Sequence, residues 1–216
     1  MPCPFDKQDF IILPGFQFGG MEHVGATLYN DTQLFLGPNP TPDEELRRIQ
    51  LIAHETAHAW FGNLVTMDWF DDVWTKEVFA NHFSAWITEP LFPSVNHKLQ
   101  RMRTFFASAL SEDRTPGTNA IHQELDNLRN AGLIYGQIIY NKAPVVMGKI
   151  IELMGEDVFR EGIREYLRTY AYSNATWDDL IRILDRHTPE DLIAFNDAWV
   201  NRKGMPIIRF TPRGNT

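Results

Sequence analysis

Two histidines four residues apart, in the segment His54-Glu55-Thr56-Ala57-His58, constrain this sequence more than any other feature. The segment lies inside a strongly predicted helix, and residues four apart on a helix project from the same face. Apolar residues flank it on both sides, at 51–53 and 59–61. Two imidazoles and a carboxylate would be costly to bury there without a partner. The pattern therefore predicts a metal site on a buried helix rather than two histidines on a solvent-facing surface.

Zinc is the ion that this pattern favours. Zinc accepts neutral imidazole nitrogen, and it keeps an open coordination position when only three protein side chains bind it. His54 and His58 supply two of the donors. Glu55 is adjacent to the metal without being needed as a ligand, so it can take a proton from an attacking water. We therefore predict one zinc ion per chain, with Glu55 as the general base.

A third ligand is expected from the next helix. Glu77 follows His58 after eighteen intervening residues, in the segment Trp74-Thr75-Lys76-Glu77-Val78-Phe79-Ala80. Glutamate from a neighbouring helix is a suitable third ligand when two histidines supply the first two. Apolar neighbours at 74, 78 and 79 make a solvent-exposed glutamate the weaker interpretation.

The first forty residues favour short strands, and the remainder favours helices. Thr41, Thr176 and Thr188 each open a sequence typical of a helix N-cap. Strands are predicted at 10–13, 26–29 and 207–210, helices at 41–62, 71–87, 94–110, 133–154, 157–170, 176–184 and 188–201, and a polar loop at 111–130. This order predicts an α+β enzyme domain, with a β lobe at 1–40, a zinc-binding helix pair at 41–90 and a helical body at 91–216.

Composition excludes several other classes of protein and of site. The formal net charge is −8, and no basic stripe suited to nucleic acid is present. Cys3 is the single cysteine, so an intrachain disulfide and a cysteine-rich metal site are both excluded. No apolar run approaches the ~20 residues that a membrane span requires. No signal peptide is visible at the start of the sequence, and the compartment stays open.

The zinc motif and two further segments resemble the gluzincin aminopeptidases, the family of aminopeptidase N and the leukotriene hydrolase/aminopeptidase. The two histidines, the eighteen-residue gap and Glu77 match the family's zinc-binding pattern. Gly19-Gly20-Met21-Glu22-His23 resembles its Gly-x-Met-Glu-Asn exopeptidase motif, and Ile139-Tyr140-Asn141-Lys142 resembles its Tyr-x-Lys-Gly segment. The stretch at 60–66 extends the resemblance, which covers most of the chain.

The resemblance implies a thermolysin-like zinc peptidase domain that releases N-terminal amino acids from peptides. It implies that Glu22 pairs with the free α-ammonium of the substrate, and that Gly19, Gly20 and Met21 line the substrate path. It also implies that Tyr140 donates a hydrogen bond to the oxyanion. Relatives of this type are usually several times longer, so we expect this chain to be a fragment whose flanking domains are missing.

Some residues depart from the family pattern. His23 replaces the usual asparagine, Ala143-Pro144 replaces a glycine, and Val78 stands where many relatives carry glycine. None of these changes removes a catalytic group. Asp72 is open to two interpretations, as a residue that orients a zinc-bound histidine or as a helix cap.

Two other functions stay open at this point. Gly19-Gly20 resembles a branch of the family that hydrolyses epoxides on the same zinc site. A peptide-recognition scaffold without turnover is the other alternative, although such a scaffold needs neither Glu55 nor Tyr140. The remaining histidines that lack partners at ligand spacing are expected to be surface or packing residues: His82, His97, His122 and His187.

Overall fold

Three short strands near the amino terminus form a small sheet in the computed structural model, which describes residues 1–205. They are β1 (Asp9–Leu13), β2 (Gly20–Met21) and β3 (Ala26–Asn30), in the order β1-β3-β2. β1 runs parallel to β3, and β2 runs antiparallel to it. Thr27 and Tyr29 are buried while their neighbours in β3 are not, as expected for a half-buried strand. The predicted strands at 10–13 and 26–29 are confirmed, whereas β2 was not predicted.

A short helix, α1 (Asp31–Leu34), precedes the long helix α2 (Pro42–Ala57). The Thr41 hydroxyl accepts a hydrogen bond from the Glu44 amide, and the Glu44 carboxylate accepts one from the Thr41 amide. This reciprocal cap confirms the predicted start. The predicted end at Gly62 is wrong, because the helical hydrogen bonding of α2 stops near His58. The amides of 63–65 then bond to carbonyls five residues earlier, which turns the chain out of the helix.

The chain then returns to α2 through a strand and a second long helix. Strand β4 (Val65–Met67) pairs in parallel with β5 (Ser173–Ala175). A 3₁₀ turn (Phe70–Asp72) then leads into α3 (Trp74–Thr88), which packs along α2. The Ser84 hydroxyl of α3 donates to the Gln50 carbonyl of α2 at 2.7 Å. The predicted second helix is confirmed, whereas these three-residue strands were not expected.

The helical body follows. It contains the π-helical turns Met102–Phe106 and Ile138–Lys142, the 3₁₀ turns Glu89–Leu91 and Leu128–Asn130, and the helices α4 (His97–Arg101), α5 (Ala107–Asp113), α6 (Ala131–Ile134), α7 (Ala143–Met154), α8 (Glu156–Thr169), α9 (Trp177–Arg186) and α10 (Leu192–Trp199). The helices predicted at 157–170 and 176–184 are confirmed as α8 and α9, the latter with a reciprocal cap at Thr176.

Three predicted boundaries in the body are wrong. The helix predicted at 94–110 starts at His97, because the Asn96 side chain caps it, and extends through a π-helical turn to Asp113. The helical stretch predicted at 133–154, with a fresh first turn at Pro144, is divided among α6, a π-helical turn and α7, and Pro144 does lie in the first turn of α7. The last helix starts at Leu192 rather than near Thr188, because the Asp191 carboxylate accepts from the Ala194 amide at 2.8 Å. The strand predicted at 207–210 lies outside the described residues.

The main hydrophobic core lies between α3 and the helical body. Its largest fully buried side chains include Trp74 and Phe79 from α3, Met147 and Ile150 from α7, and Phe159 from α8. Trp74 also packs on Trp177, the first residue of α9, with ring centroids 4.5 Å apart. The first turn of α3 is therefore held in place from several sides. Among the described residues, no helix is both long and apolar enough to cross a membrane.

Candidate active site

A cleft of 1310 Å³ lies between the β lobe, the α2–α3 pair and the helical body. Every residue that was predicted to bind the metal, to act in catalysis or to contact the substrate lines this cleft. Its lining includes Gly19, Gly20, Met21, Glu22, His54, Glu55, His58, Glu77 and Tyr140. These residues come from three separate parts of the chain, so the fold brings them together.

Two imidazoles and one carboxylate converge at the base of this cleft. The Nε2 atoms of His54 and His58 are 3.2 Å apart. The Glu77 Oε2 atom is 3.4 Å from the first and 3.9 Å from the second. His58 is 1% exposed, and Glu77 is 8% exposed. The three side chains therefore present one donor atom each to a common point in a buried setting.

The separations agree with those of a small tetrahedral metal ion. Ligand atoms about 2.0–2.1 Å from zinc in tetrahedral geometry are roughly 3.3 Å from one another. The charges around the group agree as well, because Glu22, Glu55 and Glu77 lie close together and Lys76 is, within residues 1–205, the one lysine or arginine that pairs with any of them. A divalent cation would balance this excess of carboxylates, so the residues present fit zinc.

Both histidines are oriented by a second contact on the opposite ring nitrogen. The Nδ1 atom of His54 lies 3.1 Å from Oδ1 of Asn81, and that of His58 lies 3.0 Å from the Phe61 carbonyl. Each contact directs Nε2 toward the converging point, as is usual for metal-bound histidine. Asp72 has no such role here, because its Oδ2 accepts from the Trp177 amide at the start of α9. Asp72 does not cap the helix that follows it either, because α3 has no side-chain cap, and its carboxylate instead accepts from the first amide of α9.

Glu77 and Glu55 have opposite electrostatic settings. Burial alone raises the pKa of Glu77, but its contact with His54 and the charges of His58 and Lys76 outweigh burial and lower that pKa to about 2. For Glu55, burial dominates over the attraction of His54, and the pKa rises to about 7. One carboxylate is therefore held ionised, while the other can exchange a proton near neutral pH.

Glu55 is packed closely by its surroundings but lacks a complete set of hydrogen bonds. Its Oε2 atom is buried and has no partner among the described residues. A Cβ atom on Gly20 would lie too close to its carboxylate, so a side chain at this position of β2 would force Glu55 to move. The Tyr29 hydroxyl is also buried without a partner, and burial together with the Glu55 charge raises the pKa of Tyr29.

Glu22 holds an ion pair with a lysine that the sequence analysis did not single out. The Lys76 ammonium contacts Glu22 Oε1 and lies 3.4 Å from Glu77 Oε1. The Asn63 side chain donates to the Glu22 carbonyl at 2.8 Å and fixes that backbone segment. The alkyl stem of Lys76 packs against Gly62, whose φ is 118°. Lys76 thus links the segment at 19–22 to the first turn of α3.

Tyr140 lies in the π-helical turn Ile138–Lys142 and borders the cleft. It is 39% exposed, and its ring stacks on Tyr135 with centroids 6.1 Å apart. Burial, followed by the negative charge of Glu77, raises the pKa of Tyr140, so the phenol keeps its proton. It is therefore available as a hydrogen-bond donor. π-Helical turns of this kind are frequent at functional sites.

Sequence reasoning did not single out several residues that lie beside the predicted ones, among them Tyr29, Asn63, Lys76, Asn81 and Tyr135. One signal was available, because Asn81 follows Glu77 by four residues and so shares its face of α3. Lys76 precedes a predicted ligand directly, but its pairing with Glu22 depends on the path of the β lobe. The contacts of the two tyrosines likewise depend on tertiary packing.

The remaining histidines have different surroundings. His82 is partly buried among aromatic rings, which fits the packing role expected of it. His97 contacts the Phe92 carbonyl, and His187 contacts Glu165 at 2.7 Å. His122 is partly exposed and lies beside two carboxylates. Its Nε2 lies 3.8 Å from Asp71 and 3.8 Å from Asp72.

Comparison with known proteins gives consistent results. Residues 1–199 match the family model described as "Peptidase family M1 domain". The chain is 33% identical to a puromycin-sensitive aminopeptidase of Caenorhabditis elegans, over 97% of this chain and 22% of that protein. It is 31% identical to a leucyl aminopeptidase of Saccharolobus solfataricus, over 99% of this chain and 27% of that protein. It is 32% identical to an aminopeptidase N of Lactococcus lactis, over 96% and 25%. The chain thus spans about a quarter of the length of these relatives.

Proposed function

The chain belongs to the peptidase M1 family, whose members hydrolyse peptide bonds, and we propose that it is the catalytic region of a zinc-dependent aminopeptidase. The proposal depends most on one observation. Three donor atoms of His54, His58 and Glu77 converge within 3.9 Å of one another beside Glu55, whose buried Oε2 has no partner.

In this proposal, His54, His58 and Glu77 hold one zinc ion. Zinc bound there supplies Lewis acidity, which lowers the pKa of a water molecule and polarises the scissile carbonyl. Asn81 and the Phe61 carbonyl keep both imidazoles in the orientation that the ion requires. Glu77, with its pKa near 2, stays ionised across the physiological range.

Glu55 is the proposed general base. A base works best when its pKa is near the working pH, and before any ion binds, burial raises the pKa of Glu55 to about 7. Glu55 accepts a proton from the attacking water and delivers it to the leaving amine. Its position is restricted by Gly20 on one side, so the carboxylate has little room to turn away.

Tyr140 and Glu22 complete the proposed machinery. The Tyr140 phenol donates a hydrogen bond to the carbonyl oxygen as that oxygen becomes negative. Glu22 pairs with the free α-ammonium of the peptide, which sets the cleavage point one residue from the N-terminus. Substrates are therefore peptides with a free N-terminus.

The two alternative functions receive less support from the geometry. Gly20 has a packing reason, because any side chain there would meet Glu55, so the Gly19-Gly20 pair does not require epoxide chemistry. A scaffold that binds peptides without turnover has no use for a buried carboxylate with an unsatisfied oxygen, since such a group destabilises the fold.

We also propose a thermolysin-like arrangement for residues 1–216 as one catalytic domain. In that arrangement the β lobe at 1–40 carries the exopeptidase motif, the pair at 41–90 holds the zinc, and the body at 91–216 carries Tyr140. The packing of α2 on α3 and the position of Glu22 over the same cleft support this division. Flanking domains, present in the full-length relatives, would supply the rest of the substrate surface.

The proposal is tested by comparing a leucine arylamide with its N-acetylated form on zinc-loaded protein. The free amine should be hydrolysed and the acetylated substrate should not, because acetylation removes the charge that Glu22 recognises. Glu22→Gln should weaken hydrolysis of the free amine, with Glu152→Gln, an exposed surface glutamate, as the matched control. Efficient cleavage of the acetylated substrate, or no cleavage of either by folded, zinc-loaded protein, would contradict the proposal.

A further inference from the structure

A second group of potential metal ligands lies at the 3₁₀ turn that precedes α3. It consists of Asp71, Asp72 and His122, whose ligand atoms all lie within 4.8 Å of one another. The Nε2 atom of His122 is 3.8 Å from Asp71 Oδ2 and 3.8 Å from Asp72 Oδ1. These separations are too long for hydrogen bonds. A cation placed between two such atoms can lie about 2.1 Å from both, which is the usual bond length to nitrogen or carboxylate oxygen.

Asp72 supplies independent evidence for a missing partner. Asp72 is only 5% exposed. Its Oδ1 atom, which faces His122, has no hydrogen-bond partner among the described residues. The other oxygen, Oδ2, accepts a hydrogen bond from the Trp177 amide at 2.9 Å. Burial raises the pKa of the Asp72 carboxyl, and the neighbouring Asp71 and Asp178 charges act in the same direction. A buried, half-satisfied carboxylate beside two more carboxylates is a setting that a cation would relieve.

The group is held by contacts that do not depend on a cation. The His122 amide donates to the Val200 carbonyl at 3.2 Å, which anchors the loop that carries the imidazole. The Trp69 indole donates to the Leu125 carbonyl at 2.8 Å, which ties the same loop to the 3₁₀ turn. The loop and the turn are therefore positioned relative to each other in advance, as a metal site requires.

We propose that Asp71, Asp72 and His122 form a second site for a divalent transition-metal cation, distinct from the His54–His58–Glu77 group. One imidazole and two carboxylates are a donor set suited to Zn²⁺ or Mn²⁺. His122 and Asp71 are partly exposed, so solvent can complete the coordination. A cation bound there joins the turn before α3, the 121–125 loop and, through Asp72, the start of α9. Its role is structural, because it reinforces the base of the helix that carries Glu77.

The test measures bound zinc per chain after chelation and re-equilibration with Zn²⁺. The unchanged protein should bind two ions, and His122→Gln or Asp71→Asn should each lower that number to one. A second histidine–carboxylate pair serves as the matched control: His187→Gln should leave the number at two, because His187 already hydrogen-bonds Glu165. His54→Ala/His58→Ala should retain one ion, and adding His122→Gln should remove it.

Thermal unfolding supplies a second readout. Zn²⁺ should raise the melting temperature of the His54→Ala/His58→Ala protein, and should no longer do so once His122→Gln is added. If the double variant does not fold, the test uses His122→Gln in the otherwise unchanged protein. There the number of bound ions should fall from two to one. A metal content that His122→Gln and Asp71→Asn leave unaltered would overturn the proposal. That result would leave the peptidase proposal intact, since loss of the first site is read from the His54 and His58 variants.

Discussion

At the scale of single residues, the two glutamates nearest the converging imidazoles show how position decides what a carboxylate can do. Glu77 touches His54, and its pKa falls to about 2, whereas Glu55 lies against Gly20 and Tyr29, and its pKa rises to about 7. Titratable groups whose environments push their pKa values apart often mark the division between a charged ligand and a proton carrier. The same chemical group can therefore serve as metal ligand at one position and as base at the other.

Tyr140→Phe should lower kcat by roughly 10²–10³-fold, because it removes one donor to the oxyanion. The ring and its stacking on Tyr135 are retained, so zinc content and melting temperature should hardly change. Tyr172→Phe, at a tyrosine that is 73% exposed, is the matched control. Steady-state rates with a leucine arylamide check this. Rates in Tyr140→Phe equal to those of the control would assign Tyr140 to packing alone.

Lys76→Gln should lower KM for substrates with a free α-amine. The Lys76 ammonium already contacts Glu22, so a substrate ammonium must displace or share it. Removing this internal cation frees the Glu22 carboxylate and makes the cleft more negative. Lys149→Gln, at an exposed lysine paired with Glu152, is the control. A higher KM in Lys76→Gln would show instead that Lys76 positions Glu22 for substrate rather than competing with it.

At the scale of secondary-structure elements, α2 and α3 each contribute two residues that are four positions apart. His54 and His58 share a face of α2, and Glu77 and Asn81 share a face of α3. That pairing within each helix could be predicted from the sequence, because helical periodicity alone determines it. The contact between His54 and Asn81 could not, because it depends on how the two helices pack.

Gly20→Ala should lower turnover by roughly 10²-fold, because the new Cβ atom would displace the Glu55 carboxylate and small misplacements of catalytic groups are costly. Binding of zinc should persist, since no ligand changes. Gly37→Ala is the control, because a Cβ atom there meets nothing within 4 Å. The comparison requires only steady-state rates and metal content. Equal turnover in the two variants would mean that β2 can move aside without disturbing Glu55.

At the scale of the whole molecule, the sequence predicted the order of elements better than their ends. Helix starts at Thr41 and Thr176 were predictable because the caps are local in sequence. The start at Asp191 was misplaced because Thr188 presents a competing cap signal three residues earlier. β4 and β5 were not predicted, since three-residue strands whose paired residues, such as Val65 and Ser173, lie 108 positions apart owe their pairing to tertiary structure. The site itself spans the β lobe, the helix pair and the body, so no single segment contains it.

Binding of zinc to the first group should stabilise the whole fold. The ion would join α2 to α3, and α3 is part of the main core. At a zinc concentration 100-fold above Kd, the expected gain is about 2.7 kcal/mol, or roughly 5–10 °C in melting temperature. The measurement is best made in a His122→Gln background, where only the first group remains to bind zinc. An equal shift after adding His58→Ala would show that this group does not bind the ion.

The central claim is that Glu55 transfers protons beside a zinc ion held by His54, His58 and Glu77. Its most direct test is to measure zinc content and kcat/KM on the same sample of Glu55→Gln, in the His122→Gln background. The amide has the same size but cannot accept the proton of the attacking water. Glu55→Gln should bind one zinc per chain, as the parent protein does, and should lose turnover. Loss of the zinc together with the activity would place Glu55 among the ligands, and retained activity would remove it from the mechanism.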